Sequence, residues 1–170
     1  MSKPVRGANR IVLLRPYALR TEEKAGRLAF QTNHEISRTR DSESTITKDG
    51  NIQSVSEVVV EMSLTTLMAH GDEVRKALED AFLDGGLVEF WDINKTEASA
   101  IAADGQTQFP ATYYQGYITE WSESAGAEDS VEISISAAIN GAGVQGDATL
   151  TAEQSEALVY EFADTTVAGN

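Results

Sequence analysis

Ser130-Val131-Glu132-Ile133-Ser134-Ile135-Ser136-Ala137-Ala138-Ile139 is the stretch whose reading decides the fold. Val131, Ile133, Ile135 and Ala137 fall on one side of an extended chain, and Glu132, Ser134, Ser136 and Ala138 on the other. That period of two marks a strand with one dry face. Upstream, Tyr113-Tyr114-Gln115-Gly116-Tyr117-Ile118-Thr119-Glu120-Trp121 is a second β-rich run, and Ser122 to Asp129 between them is a small, acidic turn. Two such runs around a turn predict an antiparallel hairpin, the core of a sheet.

Working outward, Arg10 to Leu14 reads as a short buried strand closed by Pro16. Leu28 to Ser37 alternates, with Leu28, Phe30, Thr32, His34 and Ile36 on one face. Ser54 to Leu67 is the longest strand candidate, with Val58, Val60, Met62 and Leu64 opposite Glu57, Val59, Glu61, Ser63 and Thr65. Between these two lies Arg38 to Asn51, a polar stretch of both charge signs, expected to be a long loop or an extended hairpin tip; such insertions are often functional. His70 to Asp84 predicts a helix. Val74, Ala77, Leu78, Ala81 and Phe82 make one apolar stripe, Asp72 or Gly71 can start it, and Gly85-Gly86 ends it. Leu87 to Ile93 reads as a strand, Asn94 to Phe109 as a polar excursion, and Asn140 to Asp147 as a glycine-rich loop. Ala148 to Asn170 reads as an acidic tail with a short helix over Ala152 to Leu158 and a strand over Val159 to Phe162. The fold class is mainly β, with one helix that can fold back against a sheet. The expected organisation is an N-terminal arm at 1–8, a β-domain at 9–150 and a C-terminal arm at 151–170.

With 170 residues, 41% hydrophobic and 24% charged, the chain is long enough for one sizeable core. No apolar run approaches the ~20 residues of a membrane helix. The first residues lack the apolar centre of a signal peptide, so a cytoplasmic origin, or release by lysis, is expected. The absence of cysteine excludes disulfides, thiolate catalysis and cysteine-ligated metals. The net charge is −14. Ten of the thirteen Lys and Arg residues lie before residue 49, which leaves the rest strongly acidic. Such a surface repels nucleic acid, and the asymmetry suggests a basic N-terminal part meeting an acidic part of a neighbouring copy.

Each apparent motif has a plainer reading. Gly141-Ala142-Gly143-Val144-Gln145-Gly146 spells a dinucleotide-type glycine pattern, but no helix opens after it and its flank is acidic, so a flexible linker is expected. Asp41, Glu43 and Asp49 lack calcium-loop spacing and stand beside Arg38, Arg40 and Lys48. Glu120, Glu123, Glu128, Asp129 and Glu132 cluster as a paired-carboxylate site would, but at an exposed hairpin tip, where a carboxyl gains no burial to raise its pKa. His34, on an apolar face, and His70, at the helix mouth, read as packing or capping residues. Tyr113, Tyr114, Tyr117 and Trp121 read as core or subunit contacts, with sugar stacking as the alternative. Asn94-Lys95-Thr96 spells a glycosylation sequon that a chain without a signal peptide does not present. Catalytic residues, cofactor and metal are all expected to be absent.

The order of parts resembles a known family. Thr47-Lys48-Asp49-Gly50, the helix Lys76-Ala77-Leu78-Glu79-Asp80-Ala81-Phe82-Leu83-Asp84-Gly85-Gly86, the strand Val88-Glu89-Phe90-Trp91, then Tyr114-Gln115-Gly116-Tyr117-Ile118 and Val131-Glu132-Ile133-Ser134-Ile135 are together similar to the major tail proteins of long-tailed bacteriophages with non-contractile tails. The likeness covers about residues 27–150. It implies a fold of two packed antiparallel sheets, a sandwich or barrel, with one flanking helix, and a structural virion protein, assembled in the host cytoplasm, in which six copies form a ring whose inner sheets close into a continuous β-barrel. Rings then stack into a tail tube that conducts double-stranded DNA without specific binding. The implied partners are further copies of the chain, a tape measure protein, a tail terminator and distal tail or baseplate proteins, with no membrane. Arg38 to Asn51 and the two terminal arms occupy the places that reach the next ring, which makes Arg38, Arg40, Asp41, Glu43, Lys48 and Asp49 the inter-ring candidates. Glu57, Glu61, Glu120 and Glu132, read on strands, are the candidates for charge in the bore. The alternatives are a soluble β-sandwich module binding carbohydrate or a receptor through Tyr113, Tyr117 and Trp121, and a tube subunit of a related bacterial injection or secretion system.

Overall fold

A computed structural model describes residues 2–96, 98, 100–101 and 107–150. Its strands are β1 (Arg10–Pro16), β2 (Gly26–Arg27), β3 (Gln31–Thr39), β4 (Ser42–Thr47), β5 (Gly50–Val55), β6 (Val59–Leu67), β7 (Val88–Asn94), β8 (Ala100–Ile101), β9 (Thr107–Ser124) and β10 (Glu132–Leu150), with α-helix α1 (Glu73–Asp84) and short 3-10 turns at Gly7–Asn9 and Tyr17–Leu19. All pairings are antiparallel. The main sheet has the order β2-β1-β7-β9-β10-β6-β3, with β8 added to β9, while β4 and β5 form a sheet of their own.

The hairpin read first from the sequence is the spine of the molecule, and it is longer than its pattern predicted. β9 and β10 pair from Ser124–Glu132 to Thr107–Leu150. The half of β9 near Ala111 to Gly116 borders β7, whereas Glu132 to Ile139 of β10 borders β6. The hairpin bends between the two halves. Three residues of β10, Gly141 to Gly143, are set against the single residue Tyr114 in the interruption between Asn140 and Val144. A β-bulge bends and twists a strand in this way. Two glycines make the bend possible. A Cβ on Gly116 would stand 2.2 Å from the Ala138 carbonyl oxygen, and Gly143 has φ +85° with its backbone against the Tyr114 ring. The glycine-rich stretch is therefore a kink inside a strand, and neither a linker nor a nucleotide loop.

The bend lets the two halves of the sheet share one core. Val12, Leu14, Val88, Phe90 and Tyr114 come from one half and Val60, Met62, Leu64, Ile133, Ile135 and Ala137 from the other, with Leu78 of α1 sealing the side. Val60, Met62, Leu64, Ile133, Ile135 and Ala137 are alternating positions picked out in the sequence. A second bulge, between Ser136 and Ala137 of β10, leaves Thr119 of β9 unpaired. It resets the alternation, so that Ile118 and Trp121 face the core and Tyr117 and Glu120 face out. The helix obeys its sequence signals: the Asp72 side chain accepts from the Arg75 N–H at 3.2 Å, and Gly85 closes it in the left-handed conformation. Of its predicted core residues, Leu78 is fully buried, while Val74 and Phe82 are half-buried and packed against the core.

Four expectations are corrected. β3 begins at Gln31, and the register shift between Gln31 and Asn33 takes Phe30 off the buried face that His34 and Ile36 occupy. Ser54 to Leu67 is two strands, because the Ser56 N–H donates to the Asp41 carbonyl at 2.8 Å and ends the smaller hairpin there. Glu57 accordingly lies between β5 and β6 and on neither strand. His70 is exposed, and Asp72, not His70, caps the helix. The helix and strand expected within 152–162 lie outside the described residues. No helix among the described residues is long and apolar enough to cross a membrane.

Candidate functional site

Two surfaces stand out. The first is the outward face of the half-sheet β3-β6-β10-β9. Cross-strand register places Glu120, Ser136, Ser63 and Glu35 in one row, and Tyr117, Ala138, Glu61 and Ser37 in the next. Glu35, Glu61 and Glu120 line an open groove of 380 Å³ floored by Ser63, Ser136 and Ala138. Glu132 continues the same face, beside Ser124 and Leu67. Three of the four carboxylates singled out in the sequence thus share a face, and Glu35 joins them. The signal for Glu35 was its alternation with His34 and Ile36, which put it on the polar side of its strand. No lysine or arginine among the described residues projects from this face, because the one basic residue on its strands, Arg38 of β3, lies on the opposite side with His34 and Ile36.

The second surface is the β4–β5 hairpin. It grows from the end of β3, and every residue of it is exposed except Thr47, which is half-buried. Of the inter-ring candidates, Arg40, Asp41, Glu43, Lys48 and Asp49 lie on it or at its base and are exposed. Arg38 is exposed too but lies on β3, and its guanidinium donates to the Tyr114 hydroxyl, a bond within its own chain.

Beneath these surfaces the inner side of β3 carries polar clasps that sequence reading missed. The Gln31 side-chain amide donates to the Val12 carbonyl at 2.7 Å, His34 stands 3.4 Å from Asp92, and Arg38 reaches Tyr114. The free edge of β3 is thereby tied across the sandwich to β1, β7 and β9. Asp92, with a side chain only 5% exposed, also accepts from Arg10. Burial pushes its carboxyl up, but the hydrogen bonds and charges of His34 and Arg10 outweigh that and hold it below its ordinary value. Three residues along β7, Glu89 is buried and accepts from Arg15 at 2.7 Å and from the Tyr113 hydroxyl at 2.6 Å. Burial and the hydrogen bond to Glu89 push the Tyr113 phenol up. Both acids are paired with basic groups, as buried carboxylates must be.

The carboxylates around the acidic turn, Glu120, Glu123, Glu128, Asp129 and Glu132, are all exposed. Glu128 and Asp129 are exposed on the turn, and Glu123 accepts from the Trp121 indole at 3.1 Å. Among the described residues no group of three His, Asp or Glu side chains is poised for a metal. The aromatic trio does not form a sugar platform. Tyr113 packs on Trp91 at 5.2 Å between ring centres, Trp121 stacks on Phe82 at 6.3 Å, and Tyr117 points out from the acidic face.

Residues 4–145 match the family described as phage tail tube protein. The chain is 30% identical over 164 residues to a candidate tail protein of Staphylococcus phage phiMR25, an alignment that spans 94% of this chain and 82% of that one. It is 32% identical over 113 residues to the tail tube protein gp17.1* of Bacillus phage SPP1, covering 66% of this chain and 40% of the relative's length. The solved SPP1 tail tube has the same fold, with a TM-score of 0.74 at 21% identity over 98% of this chain and 95% of that one.

Proposed function

The chain belongs to the phage tail tube protein family, and from that premise we propose that six copies close into a ring, that rings stack into the tube of a non-contractile tail, and that the bore conducts double-stranded DNA into the host. In this reading the outward face of β3-β6-β10-β9 lines the bore. One observation carries it: the face presents Glu35, Glu61, Glu120 and Glu132 among serines and no lysine or arginine, since Arg38, the one basic residue on its strands, lies on the opposite side of β3 and reaches Tyr114. DNA carries one negative charge for every ~1.7 Å of its axis. A basic wall would bind it at each ring, whereas a carboxylate and hydroxyl wall repels it and leaves a film of water to slide on. Edge strands left open in the single chain would be covered by neighbours in the ring. The β4–β5 hairpin, with Arg40, Asp41, Glu43, Lys48 and Asp49, is the contact to the next ring. Its partners at the tube ends would be a tail terminator and distal tail or baseplate proteins, with a tape measure protein inside during assembly in the host cytoplasm.

The test is a triple substitution, Glu35→Lys, Glu61→Lys and Glu120→Lys, introduced into the phage. Tubes of normal length are expected, with DNA ejection slowed or stalled part-way. Ejection at the wild-type rate from tubes made wholly of the triple variant would overturn the placement of this face in the bore.

A further inference from the structure

Two exposed apolar features lie at opposite ends of the same pair of strands. Phe30 immediately precedes β3, 47% exposed, and its carbonyl accepts from the Leu67 N–H at the end of β6. The β4–β5 hairpin leaves from the other end of β3, beyond the Thr39–Val59 pair. Ile46, beside the hairpin's turn, is 88% exposed. The strand between them spans roughly 26 Å, so one copy carries an apolar projection at one end and an apolar ring at the other.

Both features are costly in the isolated chain. Phe30 is the only non-glycine residue among those described with a positive φ, +54°, a conformation that strains a bulky side chain. The strain holds an aromatic ring nearly half in water, and that half gains nothing from its own chain. The hairpin is equally unsupported. A two-stranded ribbon is marginal alone in water, and β4 and β5 pair with nothing but each other.

We infer that Phe30 of one copy is the seat for Ile46 of the hairpin from the copy stacked on it. The inference rests on the stacked-ring reading above and names the surface that the hairpin meets. A head-to-tail contact needs two different, complementary patches at opposite ends of the subunit, and repeats without closing. Phe30 and Ile46 have that placement, and their union buries an aromatic ring against a branched aliphatic side chain. Leu83, 72% exposed, does not compete for the role, because it lies on the flanking helix and not at an end of β3.

The cysteine-free chain gives a clean test. The full-length double variant Phe30→Cys/Ile46→Cys is assembled into tubes and oxidised. A ladder of covalent multimers is expected on denaturing gels, absent from unassembled protein, while each single variant gives none. In parallel, Phe30→Gly removes the strain and the ring together. Its melting temperature is expected to hold or rise, while its tube yield falls by about tenfold. Wild-type tubes that form normally, with no ladder from the double variant and full assembly of Phe30→Gly, would overturn this seat and leave the stacked-ring reading standing. A wild-type chain that forms no tubes, even with tail initiators present, would overturn both.

Discussion

In the β9–β10 hairpin, Ile133 and Ile135 are fully buried, whereas in the β4–β5 hairpin Ile46 and Ile52 stand in water. Both are antiparallel ribbons with the same backbone pairing. The side-chain pattern separates them. In β10 the apolar residues repeat on one side, so the ribbon has a dry face to place on a core. In the small hairpin Ile46 pairs with Asn51 and Ile52 with Thr45, which puts the two isoleucines on opposite faces. No single packing inside the chain can cover both. One hairpin is therefore a device for folding, and the other is, in the proposed function, a device for contact.

That contrast is broken most severely at the bend. Gly116→Val would drive a side chain into the backbone of Ala138 and Ile139, at 2.2 and 3.0 Å from the new Cβ. The two halves of the sheet could then no longer face each other. A loss of about 4 kcal/mol in unfolding free energy is expected from urea titration, at the upper end for a clash that only backbone movement relieves. A stable Gly116→Val protein with an unchanged transition would mean that the bend is not what closes the core.

The matched pair Ile133→Ala and Ile46→Ala sharpens the comparison directly. Truncating Ile133 leaves a cavity between the half-sheets and should cost about 3 kcal/mol. Truncating Ile46 removes atoms that stand mostly in water in the single chain, and should change monomer stability by less than about 0.5 kcal/mol. Equal losses would show that the small hairpin packs on its own chain.

This difference was legible in the sequence for the core and less so for the contact surfaces. Alternation in Val131 to Ala137 and Val58 to Leu64 located the buried faces, because burial on one side of a strand writes itself into period two. The helix was written in Asp72, its apolar stripe and Gly85. The bend was not legible, since Gly116 and Gly143 are required by Ala138 and Tyr114 only after the hairpin has paired. Asp92 and Glu89 were hidden for a similar reason. Their partners lie on other strands, Arg10 and His34 for Asp92, Arg15 and Tyr113 for Glu89. The one local signal was the nearly unbroken apolar run around them, the mark of a strand covered on both faces. On the acidic face, Glu61, Glu120 and Glu132 were found by alternation, and Glu57 was misplaced because nothing in its neighbourhood shows that the Asp41–Ser56 contact ends the strand.

The half-sheet from which the small hairpin springs is held by the clasp at Asp92, and acid should loosen it. The carboxyl is held below its ordinary value of 3.8 in the folded chain. A depressed folded pKa stabilises the fold fully above the unfolded value, and the contribution fades as pH falls through the folded one. Asp92→Ala should cost about 2 kcal/mol at pH 7, less than a fully buried pair because Arg10 is 45% exposed. The gap between variant and wild type should narrow as pH drops below 3.8. A gap that is constant with pH would assign the loss to packing alone.

The smallest effect on folding, and a complete effect on assembly, is expected from removing the contact device itself. The structure sets the boundaries of that deletion. Cutting from Arg38 to Asn51 would take away the Arg38–Tyr114 clasp and the first two residues of β5, and so would confuse the two roles. Replacing Ser42 to Val55 with a short Gly-Ser linker spares Arg38 and retains Asp41 and Ser56, whose backbone bond closes the base. Unfolding free energy should stay within about 0.5 kcal/mol of wild type, because no core residue is lost. Ring stacking, followed by electron microscopy, should vanish. Tubes at normal yield from this deletion would make the hairpin dispensable and move the inter-ring contact to another surface. A destabilised protein would instead show that the hairpin supports β3 and β6 within its own chain.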